Sequence, residues 1–584
     1  NCDIGPYGNT QVKTPNLDRL ARMGTVFDRA YCQQPLCGPS RASIMSGLRP
    51  NTLGVWTLNS KLRGRIPNLV TMGEFFQKQG YYSGRVGKIY HYGNPTYIGT
   101  NGNDDEQTWT ERFNPKGIDR TQEENIIRYP GGKTGKKGGL GISMAWWNPV
   151  SKDNEHTDGL VADRAIKMIE ANKDKPFFIA AGFFNPHCPY VAPKKYFDMY
   201  DINDIELQEL EEAKQELADV PPMAIQRDAG QRWPYFYKGL TRDEAKQCKL
   251  AYYATVSFID AQVGRIFEAL EKNNLMDKTI IVFWSDHGYF LGEKGLWFKR
   301  KAFERSARAP LLIAAPGLSK GQVCKSPVEL LDIYPTLVEE TGFQIPSELE
   351  GVSLSPLLKN AHTKWTKPAI TQIHHGADKQ GYSIRTKKWR YTEWNKGQAG
   401  KELYNHETDP EETINLEGYA LSDDNDNWND WIFPDHLLAS GERILILASG
   451  KDKPYLADDW EFVVVDNAQW QYLVPTASIG DTWTDSGYND SNWSTGTGGF
   501  GYGDGDDGTT LQNANSVFLR QEFTVDNVSD IGYMAFSIDY DDGYIAYLNG
   551  IEIGRSATMA ASTGAFNTFA EENSESVLYA GGQP

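Results

Sequence analysis

The amino-acid sequence predicts an α/β protein, in which helices sandwich a mostly parallel sheet, followed by all-β C-terminal modules. Up to about residue 416, amphipathic helical segments alternate with short apolar strand segments, the pattern of a parallel sheet with helices on both faces. Beyond that point, short strand-like segments are separated by Asp, Asn, Gly and Ser, which is typical of antiparallel structure. Because the chain has 584 residues, more than one core usually supports, we expect two or three domains.

The helices and strands of the first part follow from local signals. Thr14 and Pro15 have the pattern of an N-cap followed by a first-turn proline, which opens a helix that stops at Gly24. Apolar periodicity predicts further helices at 160–172 and 250–274, and strands at 177–184, 279–285 and 310–315. Ligands of such sheets bind beyond the carboxyl ends of the strands, so we expect a site among the residues that follow them.

The C-terminal part has the alternation and turn residues of β-sandwiches. The predicted strands are 443–449, 460–465, 517–525 and 533–538, and the predicted turns are 541–543 and 549–550. Segment 417–466 resembles part of a lamin-tail-like sandwich. Segment 467–584, with Gly-Phe-Gly-Tyr-Gly-Asp and Asp-Gly-Tyr-Ile-Ala-Tyr-Leu-Asn-Gly, resembles a galactose-binding-like jelly roll, which we expect to be truncated before its closing strands. The predicted domains are therefore 1–416, 417–466 and 467–584.

Composition and charge exclude several classes of protein. Hydrophobic residues make up 40% and charged residues 23%, which is ordinary globular usage. The net charge of -18 argues against a nucleic acid or an anionic membrane as partner, since both require a basic face. The longest apolar runs, 176–184 and 279–284, are far shorter than the roughly 20 residues of a membrane span. The six cysteines are too scattered to predict a disulfide framework.

The most informative segment is Cys-Gly-Pro-Ser-Arg-Ala-Ser-Ile-Met-Ser-Gly, from Cys37 to Gly47. Taken alone, it has a structural interpretation, in which Cys37 is a buried thiol at a helix start capped by Ser40. The alternative is a nucleophile at a helix N-terminus, where amide donors and the helix dipole favour an anion. Arg41, one turn further, would then hold the nucleophile in its ionised form.

Four more polar motifs lie after predicted strands or in glycine-flanked turns, where sites are common. They are Gly-Lys-Ile-Tyr-His with Lys88 and His91, Asn-Pro-His with His187, Ser-Asp-His-Gly with Asp286 and His287, and Gly-Glu-Lys-Gly-Leu-Trp-Phe-Lys with Lys299. The structural alternatives are a solvated face for Lys88 and His91 and a packed core histidine for His187. We expect Lys294, Arg300 and Lys301 to be solvated neighbours of Lys299.

Together these motifs resemble those of type I sulfatases, the formylglycine-dependent members of the alkaline-phosphatase-like superfamily, over nearly all of residues 1–416. The resemblance implies that Cys37 is oxidised to formylglycine, whose hydrated aldehyde offers one hydroxyl to attack sulfur and a second to expel the product. It also implies that Lys88 binds sulfate and that His91 takes the proton that triggers release. His187 is implied to contact the sulfate or the leaving group, and Lys299 to bridge the sulfate and the leaving oxygen.

The same resemblance implies a calcium ion bound by Asp286, His287 and the residue derived from Cys37. A carboxylate suits this hard cation better than imidazole does, so Asp286 is the stronger candidate. Members of the family also have an N-terminal strand that ends in two metal-binding aspartates. Asp3 lies near that place but has no partner aspartate and no apolar strand before it, so it is assigned no metal role. We therefore expect the chain as printed to bind calcium poorly.

Arg-Pro-Asn-Thr at 49–52, together with the motifs of Lys88 and His187, most resembles the iduronate-2-sulfatase branch. This implies a sulfated polysaccharide or its oligosaccharides as substrate, with the 2-sulfate of a uronic acid as one candidate. The other implied partner is a formylglycine-generating or maturase enzyme, and the implied location is periplasmic or secreted. Two alternatives remain open: a phosphatase or phosphonate hydrolase of the same superfamily, and a catalytically impaired carbohydrate-binding protein.

Overall fold

The computed structural model divides the chain into two compact units, Asn1–Leu437 and Leu438–Pro584. It describes residues 2–129, 139–225, 240–318, 320–376, 380–420, 432–434, 468–480, 482–498, 500–501, 508–511, 516–523 and 544–556. The strands predicted at 443–449, 460–465 and 533–538 lie outside these residues, as does most of segment 417–466. The three-domain division at 416 and 466 stays a prediction. Among the helices of the described ranges, none has the length and hydropathy required to cross a membrane.

Twelve α-helices lie in the described residues, all in the first unit. They are α1 (Pro15–Met23), α2 (Cys37–Ser46), α3 (Pro50–Leu53), α4 (Met72–Lys78), α5 (Ile118–Thr121), α6 (Thr157–Asn172), α7 (Lys194–Phe197), α8 (Leu210–Gln215), α9 (Arg242–Lys272), α10 (Glu304–Ala307), α11 (Ile333–Glu340) and α12 (Ser355–Lys359). The three helices predicted from the sequence are confirmed as α1, α6 and α9. A capping box formed by Thr241 and Glu244 starts α9 earlier than the periodicity predicted.

The strands of the first unit are mostly short. They are β1 (Thr25–Tyr31), β2 (Tyr82–Gly87), β3 (Glu111–Phe113), β4 (Ile127–Tyr129), β5 (Met144–Trp147), β6 (Phe177–Gly182), β7 (Tyr190–Val191), β8 (Ile281–Trp284), β9 (Phe290–Leu291), β10 (Trp297–Phe298), β11 (Leu311–Ala314), β12 (Gln322–Glu329), β13 (Ala369–His374), β14 (Gln380–Arg385), β15 (Trp389–Trp394), β16 (Lys401–Asn405), β17 (Glu417–Ala420) and β18 (Ile432–Pro434). The strands predicted at 177–184, 279–285 and 310–315 are confirmed as β6, β8 and β11.

Two sheets form the central layer of this unit. One has the order β3-β2-β6 with parallel pairs, and the other has the order β12-β1-β11-β8. Within the second sheet, β1 runs parallel to β12, whereas β11 runs antiparallel to both β1 and β8. The predicted α/β class is confirmed, and β11 adds antiparallel pairs to the parallel arrangement.

β6 and β8 are edge strands, and most of their residues are partly buried. Within the described residues, β6 pairs only with β2, and β8 pairs only with β11. All four residues of β8 and the first five of β6 are partly exposed, while all of β11 is buried. Side chains of both strands, including Phe178 and Val282, nevertheless pack against one apolar cluster, which contains Phe76 and Ile313. The two edges therefore flank the same part of the core, with their hydrogen-bonding groups available to a further strand.

A separate antiparallel sheet has the order β13-β14-β15-β16 and also lies in the first unit. Its residue Arg390 is buried and reaches the segment that leads into α10. The sheet thus contacts a segment that lies between β8 and β11 in sequence.

The described part of the second unit consists of short β-strands. They are β19 (Gln469–Leu473), β20 (Ser494–Thr497), β21 (Phe500–Gly501), β22 (Thr509–Thr510), β23 (Phe518–Arg520), β24 (Ile545–Leu548) and β25 (Ile551–Arg555). The sheet β20-β19-β23 is antiparallel. The turn predicted at 549–550 is confirmed, since Asn549 and Gly550 adopt φ of 49° and 83° between β24 and β25.

Candidate active site

The candidate site is built around Cys37, the first residue of α2. Leu36 precedes it in extended conformation, and Gly47 ends the helix with a φ of 69°, a conformation that favours glycine. Every residue of α2 except Gly38 is buried. The thiol therefore lies at the N-terminus of a buried helix, where the helix dipole stabilises negative charge.

Cationic and imidazole groups surround the Cys37 thiol. The Nζ atom of Lys299 lies 3.0 Å from Sγ, and Nε2 of His287 lies 3.3 Å from it. Burial raises the pKa of the thiol, but Lys299, Lys88 and His287 together lower it well below its usual value. The structure thus brings predicted site residues from distant parts of the chain to one sulfur atom, which it stabilises as an anion.

Two further predicted histidines, His91 and His187, lie beside the Cys37 thiol, whose negative charge would raise their pKa values. Burial, reinforced by Lys299 and Lys88, lowers the pKa of His187 to about 4, and burial also lowers the pKa of His91. Nδ1 of His187 lies 2.7 Å from the Cys188 carbonyl oxygen, which assigns the proton to Nδ1 and leaves Nε2 as an acceptor. Burial thus favours the neutral form of both rings.

Arg41 joins the helix to two strand ends rather than facing the thiol alone. Its Nε donates to Asp286 Oδ2 at 2.6 Å, and its NH1 donates to the carbonyls of Lys88 and Ile89 at 2.9 and 2.8 Å. Burial raises the pKa of Asp286, but Arg41 and His287 lower it to about 2. The charge that was expected to act on Cys37 is therefore paired with Asp286.

Two glycines let Lys88 enter the site. Gly87, the last residue of β2, has a φ of 71°, and the amide of Lys88 donates to the Gly182 carbonyl at 2.7 Å. A Cβ on Gly182 would lie 2.1 Å from the Lys88 carbonyl oxygen. Glycine at the end of β6 is therefore required for this close approach.

Strained backbone directs Lys299 into the site. Its neighbours Phe298 and Arg300 have φ of 75° and 76°, a left-handed conformation that costs on the order of 1–3 kcal/mol for a non-glycine residue. Lys294 and Lys301, which the sequence predicted to be solvated, are instead 2% and 7% exposed. That prediction was wrong because the segment that contains both lysines packs against the antiparallel sheet. The amino-acid pattern around the two lysines gives no sign of this packing.

Sequence reasoning missed two residues that hold the His187 segment. Nδ2 of Asn94 donates to the carbonyl oxygens of His187 and Cys188 at 3.3 and 3.1 Å. Asp158 accepts the amides of Phe184 and Asn185 at 2.7 and 2.9 Å, and burial raises its pKa to about 7. The only sequence signal for Asn94 is a weak one, its position three residues after the predicted His91. No sequence signal points to Asp158.

The residues predicted to bind a metal meet at the same place. Ligand atoms of Cys37, Asp286 and His287 lie within 4.8 Å of one another. Calcium takes six to eight oxygen ligands. The described residues of this group supply one carboxylate, which is already paired with Arg41. This donor set does not by itself fit a calcium ion, and further oxygen ligands are required.

Two family models match the chain, and both matches lie within the first unit. A family model described as "Sulfatase" matches residues 2–343, and one described as "N-sulphoglucosamine sulphohydrolase, C-terminal" matches residues 292–424. A protein named "Sulfatase" from Formosa agariphila is 35% identical over 426 residues, which cover 71% of this chain and 80% of the relative. The iduronate 2-sulfatase of Homo sapiens is 31% identical over 466 residues, covering 67% and 82%.

Solved structures share the fold. The structure of BT4656 in complex with D-glucosamine-2-N,6-O-disulfate has a TM-score of 0.54 and 24% identity, covering 71% of this chain and 90% of that one. The phosphonate monoester hydrolase of Silicibacter pomeroyi has a TM-score of 0.57 and 21% identity, covering 70% and 86%. The family model matches more than half of the chain, and its curated relatives are sulfatases. The chain therefore belongs to the sulfatase family and is a sulfuric ester hydrolase.

Proposed function

We propose that this sulfatase hydrolyses sulfate esters of a polysaccharide or its oligosaccharides through a formylglycine formed from Cys37. The observation that carries the proposal is the thiol at a buried helix N-terminus, 3.0 Å from Lys299 Nζ and 3.3 Å from His287 Nε2. Sulfatases generally use formylglycine and a divalent metal. The Sγ atom of Cys37 stands in for a hydroxyl oxygen of the hydrated aldehyde, which would supply the nucleophile.

The lysines of the site would bind the sulfate group. Lys88 and Lys299 both lower the pKa of the Cys37 thiol, so their charges act on the position where the nucleophile and the sulfate oxygens meet. Lys88 is 2% exposed, and water screens its charge little. Fixed cations in such an environment stabilise charge that develops in the transition state.

The histidines would move protons. Burial favours the neutral form of His91 and His187, and both imidazoles lie beside the Cys37 side chain. A neutral imidazole can accept the proton whose removal releases the product, the role proposed for His91. His187, on the loop held by Asn94, would contact the sulfate or the leaving group.

For the metal we propose calcium, with Asp286 as one hard oxygen ligand, His287 and the residue at position 37 beside it, and further oxygen ligands that these residues do not supply. The motifs at 49–52, Lys88 and His187 support a sugar sulfate as substrate, and the 2-sulfate of a uronic acid is one candidate. A formylglycine-generating or maturase enzyme acting on Cys37, and a periplasmic or secreted location, complete the proposal.

The expected result of a substrate comparison is faster turnover of 4-nitrophenyl sulfate than of 4-nitrophenyl phosphate. Both should be measured as kcat/KM on one preparation whose intact mass shows the exchange of the Cys37 thiol group for an aldehyde. The sequence context of Pro39, Ser40 and Arg41, and the relatives named as sulfatases, support the sulfate ester as the preferred substrate. Faster turnover of the phosphate would contradict the proposal, and a mature preparation without either activity would favour the carbohydrate-binding alternative.

Alanine at Lys88, Lys299 or His187 is expected to lower kcat for 4-nitrophenyl sulfate by roughly 100-fold or more, since each removes a group that stabilises transition-state charge. Exposed Lys173, at the end of α6, offers a matched control, and Lys173→Ala should leave kcat unchanged. Melting temperatures of all four variants separate loss of chemistry from loss of fold. Near-normal kcat in Lys88→Ala or Lys299→Ala would show that the substituted lysine takes no part in the reaction.

A further inference from the structure

A buried charge cluster lies outside the catalytic site, between the antiparallel sheet and the segment that carries Lys299. It consists of Glu304, Arg390, His406 and Glu412, each less than 10% exposed. The two carboxylates and the imidazole are close enough together to hold a metal. Arg390 already contacts both carboxylates, at 2.5 Å each, and so supplies the positive charge that a metal would bring.

Arg390 connects β15 to the start of α10. Its NH2 donates to Glu304, its NH1 donates to the Ala302 carbonyl at 3.1 Å, and its Nε contacts Glu412. A planar guanidinium that contacts three groups at once holds their relative positions. The main chain three residues after Lys299 is therefore fixed to the antiparallel sheet.

Glu412 fixes both ends of the same segment. Its carboxylate accepts the amide of Glu304 at 2.7 Å, and its carbonyl accepts a hydrogen bond from Lys294 Nζ. Glu412 is fully buried and has a φ of 60°, so its backbone is itself held in a strained conformation. Although burial raises the pKa of Glu412, Arg390 and His406 lower it below the usual value, so the carboxylate is charged.

The segment held in this way contains the strained residues Phe298 and Arg300, with Lys299 between them. Left-handed residues at these positions relax unless the surrounding structure prevents it. We propose that Glu412 is a positioning residue for the reaction, which with Arg390 clamps residues 294–304 so that Lys299 Nζ stays against the nucleophile. This inference rests on the proposed role of Lys299 in binding sulfate.

The test is a double-mutant cycle between Glu412 and Lys299, read as affinity for inorganic sulfate by calorimetry, which requires no turnover. Glu412→Gln keeps the size of the side chain and removes its charge. If Glu412 acts through Lys299, Glu412→Gln should weaken sulfate binding about tenfold in the parent protein and less than twofold in Lys299→Ala. Equal factors in the two backgrounds would mean that the two residues act independently, which would overturn the proposal.

Glu329→Gln is the matched control, because Glu329 is another fully buried carboxylate and binds Arg49 through two contacts of 2.7 Å. Its effect on sulfate affinity should be small and the same in both backgrounds. If Glu412→Gln fails to fold, Lys294→Met replaces it. This change removes the hydrogen bond from Lys294 Nζ to the Glu412 carbonyl and leaves the charge cluster in place. An unchanged sulfate affinity in Lys294→Met would then overturn the proposal.

The hydrolysis of 4-nitrophenyl sulfate distinguishes this inference from the proposed function. Coupling between Glu412 and Lys299 in a protein that hydrolyses no sulfate ester would support the clamp and reject the reaction. Hydrolysis without coupling would support the reaction and reject the clamp. In an active protein, Glu412→Gln should lower kcat through Lys299, so its effect on kcat should also disappear in Lys299→Ala.

Discussion

Cys37→Ala is expected to abolish sulfate-ester hydrolysis while the protein remains folded. The thiol is the precursor of the proposed nucleophile, and Lys299, Lys88 and His287 converge on it. Alanine retains the Cβ at the start of α2 and creates only a small cavity. Cys37→Ser should be almost as inactive, because serine is not converted to the aldehyde by the usual aerobic maturation. The measurement is kcat for 4-nitrophenyl sulfate beside the melting temperature.

Cys324→Ala is the matched control for this experiment. Cys324 is another fully buried cysteine, but it lies on β12 and packs in an apolar cluster with Phe27. Cys324→Ala should lower the melting temperature by as much as Cys37→Ala or more, and it should leave kcat unchanged. Substantial hydrolysis by Cys37→Ala or Cys37→Ser would exclude the formylglycine mechanism.

The 584-residue chain is expected to bind calcium weakly, and an added N-terminal strand ending in two aspartates should tighten binding by roughly 100-fold or more. The described metal site offers one carboxylate, Asp286, which is paired with Arg41, and the nearby Lys88 and Lys299 repel a cation. Within the part of the chain that the structure describes, β6 pairs only with β2 and β8 pairs only with β11, so an added strand could pair with either. Two more carboxylates would offset the charge of calcium and supply oxygen ligands. Calorimetric titration with calcium measures the change, and turnover should rise with it.

The control for this prediction is the same added strand ending in two asparagines. It should protect the amides of β6 and β8 from hydrogen exchange as well as the aspartate version does, but it should not tighten calcium binding. Calcium affinity that is equal in the 584-residue chain and the aspartate version would show that other carboxylates complete the site.

The sequence predicted those parts of this protein that depend on local pattern. Proline and apolar periodicity located α1 and α6, and short apolar runs located β6, β8 and β11. The motif from Cys37 to Gly47 carried the resemblance to sulfatases, which the family model confirms, and the formylglycine chemistry that it implies stays a prediction. These signals are local, because helix caps, strand alternation and signature motifs are complete within about ten residues.

Only the tertiary structure decided how the site is held together. The pairing of Arg41 with Asp286 joins residues far apart in the chain, and the burial of Lys294 depends on Glu412. The left-handed residues beside Lys299 carry no sequence signal, because Phe298 and Arg300 would ordinarily avoid that conformation. The sequence by itself thus determined the fold class and the sulfatase family, and it predicted the groups that lie around Cys37. The geometry of those groups depends on long-range contacts, whose combined free energy exceeds the local cost of strain and of buried charge. Such contacts cannot be predicted from the local sequence pattern.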